Sequence, residues 1–179
     1  MTLRSLCHSF FNALFTPNPE KGTPSEWYYE VQKWAERRVN ERFLTDSNDQ
    51  AFWTVFLMIS HVREEDTVLI YSRALEHHFF LQALCQSKCH IDIILDDVRG
   101  VEVIAALPQS FLSRIEWRIS SSACGRHFLV AGDSFRYDGD DQSDELYAIC
   151  NFNEPETVQK LRARFKDIWG NALLTLEAA

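Results

Sequence analysis

The chain is short of glycine and proline. It holds six glycines and five prolines in 179 residues, and three of those prolines crowd into the stretch TPNPEKGTP that begins at Thr16. So little glycine leaves scant material for a backbone cradle around phosphate. No glycine-rich phosphate loop, G-x-S-x-G nucleophile elbow or H-E-x-x-H zinc helix is present, which argues against the common nucleotide-binding, hydrolase and zinc-peptidase designs. No uninterrupted apolar run approaches the ~18 residues that would suggest a membrane span. The opening MTLRSLCHSFFNALF carries one arginine and an apolar run broken by His8, Ser9 and Asn12, a poor match to a signal peptide. Cysteine is also sparse and odd in number: Cys7, Cys85, Cys89, Cys124 and Cys150 stand mostly in apolar surroundings. That pattern fits buried free thiols in a reducing, cytoplasmic setting better than a disulfide framework. Basic charge is in deficit, with 18 lysines and arginines against 26 acids and a formal net charge of −8. The deficit opposes broad attraction to phosphate backbones and leaves room only for a local basic groove.

What is present suits a packed core. At 46% hydrophobic and 13% aromatic, burial can offset the conformational entropy lost on folding, and the length fits one domain. Leu3, Leu6, Phe10, Phe11, Leu14 and Phe15 recur near helical spacing, so residues 1–22 read as an amphipathic arm and linker before a domain over residues 23–179. The arm packs either on its own domain or on a second copy.

Ser25 is placed to cap a helix from Glu26 to about Phe43, with Trp27, Val31, Trp34 and Val39 on one side. A second helix, Gln50 to Val62, is apolar nearly all round, as a buried element should be. Thr67–Ser72 and His90–Asp96 read as strands separated by a helix from Ala74 to about Ser87, which points to a parallel βαβ unit. Ile115–Ser120 and Phe128–Val130 offer two more strands, with partly helical chain around Pro108 between residues 98 and 113. A strand or hairpin at Ser134–Asp138, an acidic loop over 139–145 and a strand at Leu146–Phe152 follow. Asn153 ahead of Glu154-Pro155-Glu156 marks the start of a helix to about Gly170, with Val158, Leu161, Phe165 and Trp169 on one face.

Metal chemistry finds little support in the residue pattern. Cys85, Cys89 and His90 supply half of a zinc site by residue type, but only Cys124 and His127 stand downstream to complete it. His77 and His78 point about 100° apart on a helix and cannot share a metal face. No metal and no cofactor is expected. Asp96-Asp97 ends a strand where α/β proteins often place functional carboxylates, and the same residues are suited to capping the next helix.

The segment Gly125-Arg126-His127-Phe128-Leu129-Val130-Ala131-Gly132-Asp133-Ser134-Phe135-Arg136-Tyr137-Asp138 stands apart. Together with Tyr147 through Pro155 and the helix bearing Leu161, Phe165 and Trp169, it resembles the closing part of a phospholipase D-like domain. In that family a strand bearing histidine leads through a hydrophobic stretch to an aspartate at a turn, and a later strand precedes an Asn/Asp-Pro-capped helix. The resemblance implies an α/β fold with a mixed, largely parallel sheet flanked by helices: one phospholipase D-like unit behind an N-terminal helical extension.

The family signature is H-x-K-x4-D, in which histidine attacks phosphorus, lysine neutralises phosphate charge and aspartate helps the turn. By resemblance His127 and Asp133 take the first and last places, one residue too close together, while Leu129 stands where lysine should be. Loss of a positioned cation from a phosphoryl transition state should cost several powers of ten in rate. Arg126 or Arg136 would have to bind phosphate instead. Family members with one motif per chain usually pair two copies, so a homodimer, or a pair with a related chain, is implied. The leading expectation is a catalytically degenerate dimeric binding or regulatory module whose partner is nucleic acid or protein. The alternatives are a divergent metal-independent phosphodiesterase or nuclease using His127, and a purely protein-binding adaptor.

Overall fold

The computed structural model describes residues 26–73, 75, 84, 87–120, 125–138 and 148–174. Helix α1 (Glu26–Glu36) leads into the short strand β1 (Phe43–Thr45) and helix α2 (Asn48–Ser60). Strands β2 (Thr67–Ser72) and β3 (His90–Leu95) precede two short helices, α3 (Arg99–Ala105) and α4 (Gln109–Leu112). Strands β4 (Ile115–Ile119), β5 (Phe128–Ala131), β6 (Ser134–Asp138) and β7 (Ala148–Asn151) follow, then helix α5 (Pro155–Asn171) and strand β8 (Leu173–Leu174). All eight strands form one sheet in the order β1-β7-β6-β5-β2-β3-β4-β8.

The sheet is mixed and flanked by helices, as expected. Parallel pairing is confined to β2-β3 and β3-β4, and the other neighbours run antiparallel, so the parallel share is smaller than the strand-helix-strand order suggested. The reason lies in the connections. Strands β5 and β6 are joined through Gly132-Asp133 alone, with Ala131 opposite Ser134 and Gly132 at φ +62°. A two-residue loop can only return the chain antiparallel, and glycine takes that conformation without a Cβ penalty.

Two further boundaries differ from expectation. Helix α1 stops at Glu36 instead of running to Phe43, because Arg38 adopts φ +50°. Arg38 N–H bonds Ala35 O at 3.1 Å and Val39 N–H bonds Trp34 O at 3.0 Å, the paired closure of a Schellman cap with arginine where glycine is usual. The released chain supplies Phe43–Thr45 as an edge strand antiparallel to β7. Asn153 does not cap α5: Glu154 occupies the cap position, while Asn153 N–H donates to Asn151 Oδ1 at 2.7 Å. Helix α2 is capped by Ser47, whose hydroxyl accepts from Gln50 N–H. The arm over residues 1–22 and the acidic loop over 139–145 lie outside the described residues, as does most of the helix expected between Ala74 and Ser87.

The sheet divides the core in two. On one face Val31 and Ala35 of α1, Val55 and Met58 of α2, and Ile104 and Phe111 of α3 and α4 pack against Val68, Ile70, Ile91 and Ile93. On the other, Val158, Leu161, Phe165 and Ile168 of α5 cover Leu69, Tyr71, Phe128, Val130 and Phe135. Burial of each such side chain contributes about 1.5–3 kcal/mol, which is what holds α5 to the sheet. Cys150 is fully enclosed beside Thr45, and burial pushes its thiol up to about 12.

Candidate functional site

Strands β2 and β3 end side by side at Ser72 and Leu95, and β5 enters the sheet beside β2 with Phe128 opposite Tyr71. This order places the residue before β5, His127, at the carboxyl ends of the parallel strands, where ligands of open α/β sheets bind. Asp96 follows β3, its N–H bonded to Ser72 O at 3.2 Å. The Nε2 of His127 lies 2.9 Å from Asp96 Oδ2, with the two side chains 10% and 3% exposed. Tyr71 hydroxyl donates to the same oxygen at 3.2 Å, and the Tyr71 ring lies 5.1 Å from the imidazole. A carboxylate only accepts, so the hydrogen of this contact sits on Nε2.

Basic groups gather at the same edge. Arg164 of α5 donates through Nη2 to Arg126 O at 3.1 Å and through Nη1 to Tyr137 hydroxyl at 3.2 Å. Its guanidinium stacks 5.2 Å from the Phe128 ring, and Arg126 lies 5.9 Å over Tyr137. Both contacts are within cation–π range. Gly125 makes this approach possible: its φ is +84°, and a Cβ there would sit 3.1 Å from Arg164 Nη2. The arrangement offers an oriented imidazole, two arginines and Tyr137 at one rim, with Tyr71 fully buried beneath them, a set suited to holding an anionic phosphate.

The other residues singled out in the sequence go elsewhere. Leu129, at the lysine place, is 1% exposed in the core beneath α1 and α2. Asp133 sits in the β5–β6 turn at the far end of β5, about 13 Å of strand from His127, where it pairs with Arg38. It lines a cleft of about 430 Å³ with Arg38, His61, Arg63 and Arg162. Arg136 is buried, in register with Leu129 and Cys150 on the α1–α2 face, and pairs with Asp138. The structure thus brings His127 and Arg126 together and leaves Asp133 and Arg136 apart from them. Asp96 and Asp97 divide the two roles open to them. Asp97 accepts from Arg99 N–H at 2.9 Å at the start of α3, and the Arg99 guanidinium beside it holds its carboxyl below the usual range. Asp96 turns inward to His127. Cys89 and His90 do not share a site either, because Cys89 belongs to the core beneath α1 and α2 and its thiol lies 2.7 Å from Ser87 hydroxyl.

Asp96, Tyr71 and Arg164 complete the site; of these the sequence singled out Asp96 alone, as a functional or capping carboxylate and not as the partner of His127. The only signal for Asp96 was its place at a strand end. Tyr71 and Arg164 look like ordinary strand and helix residues until the sheet order sets Tyr71 beneath His127 and α5 brings Arg164 to the rim.

The fold is phospholipase D-like. No family model and no curated protein matches the sequence, but solved structures do match the fold. NucT from Helicobacter pylori superposes with a TM-score of 0.58 at 11% identity, over 76% of this chain and the whole of that one. Nuc from Salmonella typhimurium, a phospholipase D family member, gives 0.56 at 15% identity over 78% of this chain and all of its own. TrmBL2, an archaeal chromatin protein with a novel mode of DNA binding, gives 0.56 at 11% identity over 94% of this chain. This chain spans 59% of the length of TrmBL2. Among the described residues no helix is long and apolar enough to cross a membrane.

Proposed function

We propose that the chain is a phospholipase D-like unit without phosphodiester cleavage, working as a pair of copies to bind nucleic acid in a regulatory role. One observation carries the reading: the position that would supply the family's phosphate-neutralising lysine holds Leu129, whose side chain is 1% exposed beneath the helices. No cation reaches a phosphate from there. Binding asks less than catalysis, and Arg126 and Arg164 beside His127 supply the charge for it. The DNA-binding fold neighbour supports nucleic acid over a protein partner. The net charge of −8 opposes contact over a broad surface, so the dependence of binding on salt should be shallow, about two phosphates' worth per copy for the two rim arginines.

Labelled single- and double-stranded DNA and RNA, incubated with the protein in EDTA at low salt, test the proposal on one gel. The expected result is a shifted band without cleavage, weakened in Arg126→Ala. Cleavage that disappears in His127→Ala would overturn the loss of catalysis. An unshifted band at low salt would overturn the choice of nucleic acid and favour a protein partner. Sedimentation equilibrium tests the pairing, and a monomer at micromolar concentration would exclude it.

A second reading, a divergent metal-independent phosphodiesterase, is favoured by the His127–Asp96 geometry alone. A buried carboxylate that fixes the tautomer and orientation of an imidazole is how nucleophilic and general-base histidines are prepared. The same gel decides between the two.

A further inference from the structure

Away from that rim, at the amino-terminal half of β3, three side chains of metal-ligating type converge. His90 and Asp92 alternate onto one face of β3, the face that carries Ile94 toward α5. Glu116 of β4 lies in register directly opposite Asp92. The Nε2 of His90 is 3.0 Å from Asp92 Oδ1 and 3.8 Å from Glu116 Oε1, and the three ligand atoms all fall within 4.8 Å of one another. Ligands bound at about 2.0–2.2 Å to one ion stand roughly 3–3.5 Å apart. Closing the cluster around a cation therefore requires only small side-chain adjustments.

From this geometry we propose that His90, Asp92 and Glu116 form a binding site for a divalent transition-metal cation that clips β3 to β4. Three further observations favour a cation over a solvated polar cluster. Asp92 Oδ1 is buried, and the one ligand-type atom within 3.0 Å of it among the described residues is His90 Nε2. Like charges directly opposite on neighbouring strands repel, so Asp92 and Glu116 gain from a cation between them. The basic side chain on the same face of β4, Arg118, acts on Asp92 only through its charge, because its guanidinium is engaged at Trp169, donating to its carbonyl at 2.8 Å and stacking 4.4 Å over its ring.

The scaffold beneath is rigid. Ile91 and Ile93, which flank Asp92, are fully buried, and both strands are locked by the parallel ladder. One imidazole and two carboxylates suit zinc, cobalt, manganese or iron(II) better than calcium, which takes oxygen ligands. Three protein ligands leave the remaining positions to water. The site lies about 13 Å of strand from Asp96, so it is separate from the His127 rim and its role is to hold strands together.

Cobalt(II) titrated into the metal-free, reduced full chain gives a test, read by calorimetry, visible absorption and thermal melting. The expected result is one equivalent bound with weak bands of nitrogen and oxygen ligation, without a thiolate charge-transfer band, and with a raised melting temperature. Asp92→Asn and Glu116→Gln should each lower affinity by at least about tenfold. Glu116 is 66% exposed, so Glu116→Gln keeps the fold and the test stands even if the strand variants do not fold. Saturation without binding, a thiolate band, or affinity unchanged in Glu116→Gln and in a folded His90→Gln/Asp92→Asn double variant would overturn the site.

Discussion

His127 and Asp96 meet across the carboxyl ends of two sheet strands, Nε2 to Oδ2 at 2.9 Å, with both side chains almost wholly withdrawn from water. A buried ionic or charge-assisted pair is costly to break from one side, because the survivor is left without its partner. His127→Ala strands the Asp96 carboxylate with the Tyr71 hydroxyl as its remaining described partner and should destabilise the fold by about 3–5 kcal/mol. Asp96→Asn, which keeps the shape, should cost less. Urea melts of both single variants and the double variant give the coupling, expected at about 1–3 kcal/mol. Coupling near zero would mean that the pair is incidental to stability.

Leu129→Lys tests the absent signature residue directly. The leucine faces the core beneath α1 and α2, so a lysine there buries an ammonium without a carboxylate designed to meet it. The expected loss is about 3 kcal/mol or more in urea unfolding, with no cleavage gained. Stable folding with new phosphodiesterase activity would show that the strand can present a cation at the rim, and that a single substitution had removed catalysis.

Strands β2 and β3 were legible because their β-branched apolar runs, TVLIYS and HIDIIL, are what a sheet buried on both faces requires. The face of α5 was legible for the same kind of reason, since Val158, Leu161 and Phe165 repeat at helical spacing. The His127–Asp96 pair was not. Its members lie 31 residues apart, and they meet only because β5 inserts beside β2 instead of following β4 across the sheet. Local patterning carries no information about that choice of edge. The short strand Phe43–Thr45 escaped for another reason: it is too brief to show alternation, and the helix before it is ended by Arg38 without a glycine to announce the stop. The cross-strand trio His90, Asp92 and Glu116 depends on the β3–β4 register, which spacing along the chain does not encode.

Gly125 is the point at which backbone conformation and rim geometry meet. Its φ of +84° disfavours any side chain, and a Cβ would stand 3.1 Å from Arg164 Nη2. Gly125→Ala should cost about 1–2 kcal/mol and shift the guanidinium away from Arg126 O. Thermal melting gives the first quantity. If Arg164 contributes to the binding rim, affinity for DNA should fall in the same variant, and unchanged affinity would remove Arg164 from the proposed contact.

Glu154 gives the fold a dependence on acid. Its carboxylate accepts from Arg42 Nε at 2.8 Å, from the Thr157 hydroxyl and from Asn151 Nδ2 at 3.2 Å, and its N–H bonds Asp133 O at 3.2 Å. These contacts tie the chain after α1 to the β5–β6 turn and to the start of α5. The Arg42 guanidinium, with help from Thr157, holds the carboxyl below the usual glutamate range. A depressed pKa in the folded state means that its stabilisation is complete above the unfolded value, about 4.3, and is lost as pH falls through the folded value. Arg42 is 58% exposed, so solvent limits the effect to about 0.5–1 kcal/mol. Urea melts of the wild type and Glu154→Gln between pH 7 and pH 3 should therefore differ at neutral pH and converge in acid. A difference that persists unchanged at pH 3 would assign the loss in the variant to packing and not to charge.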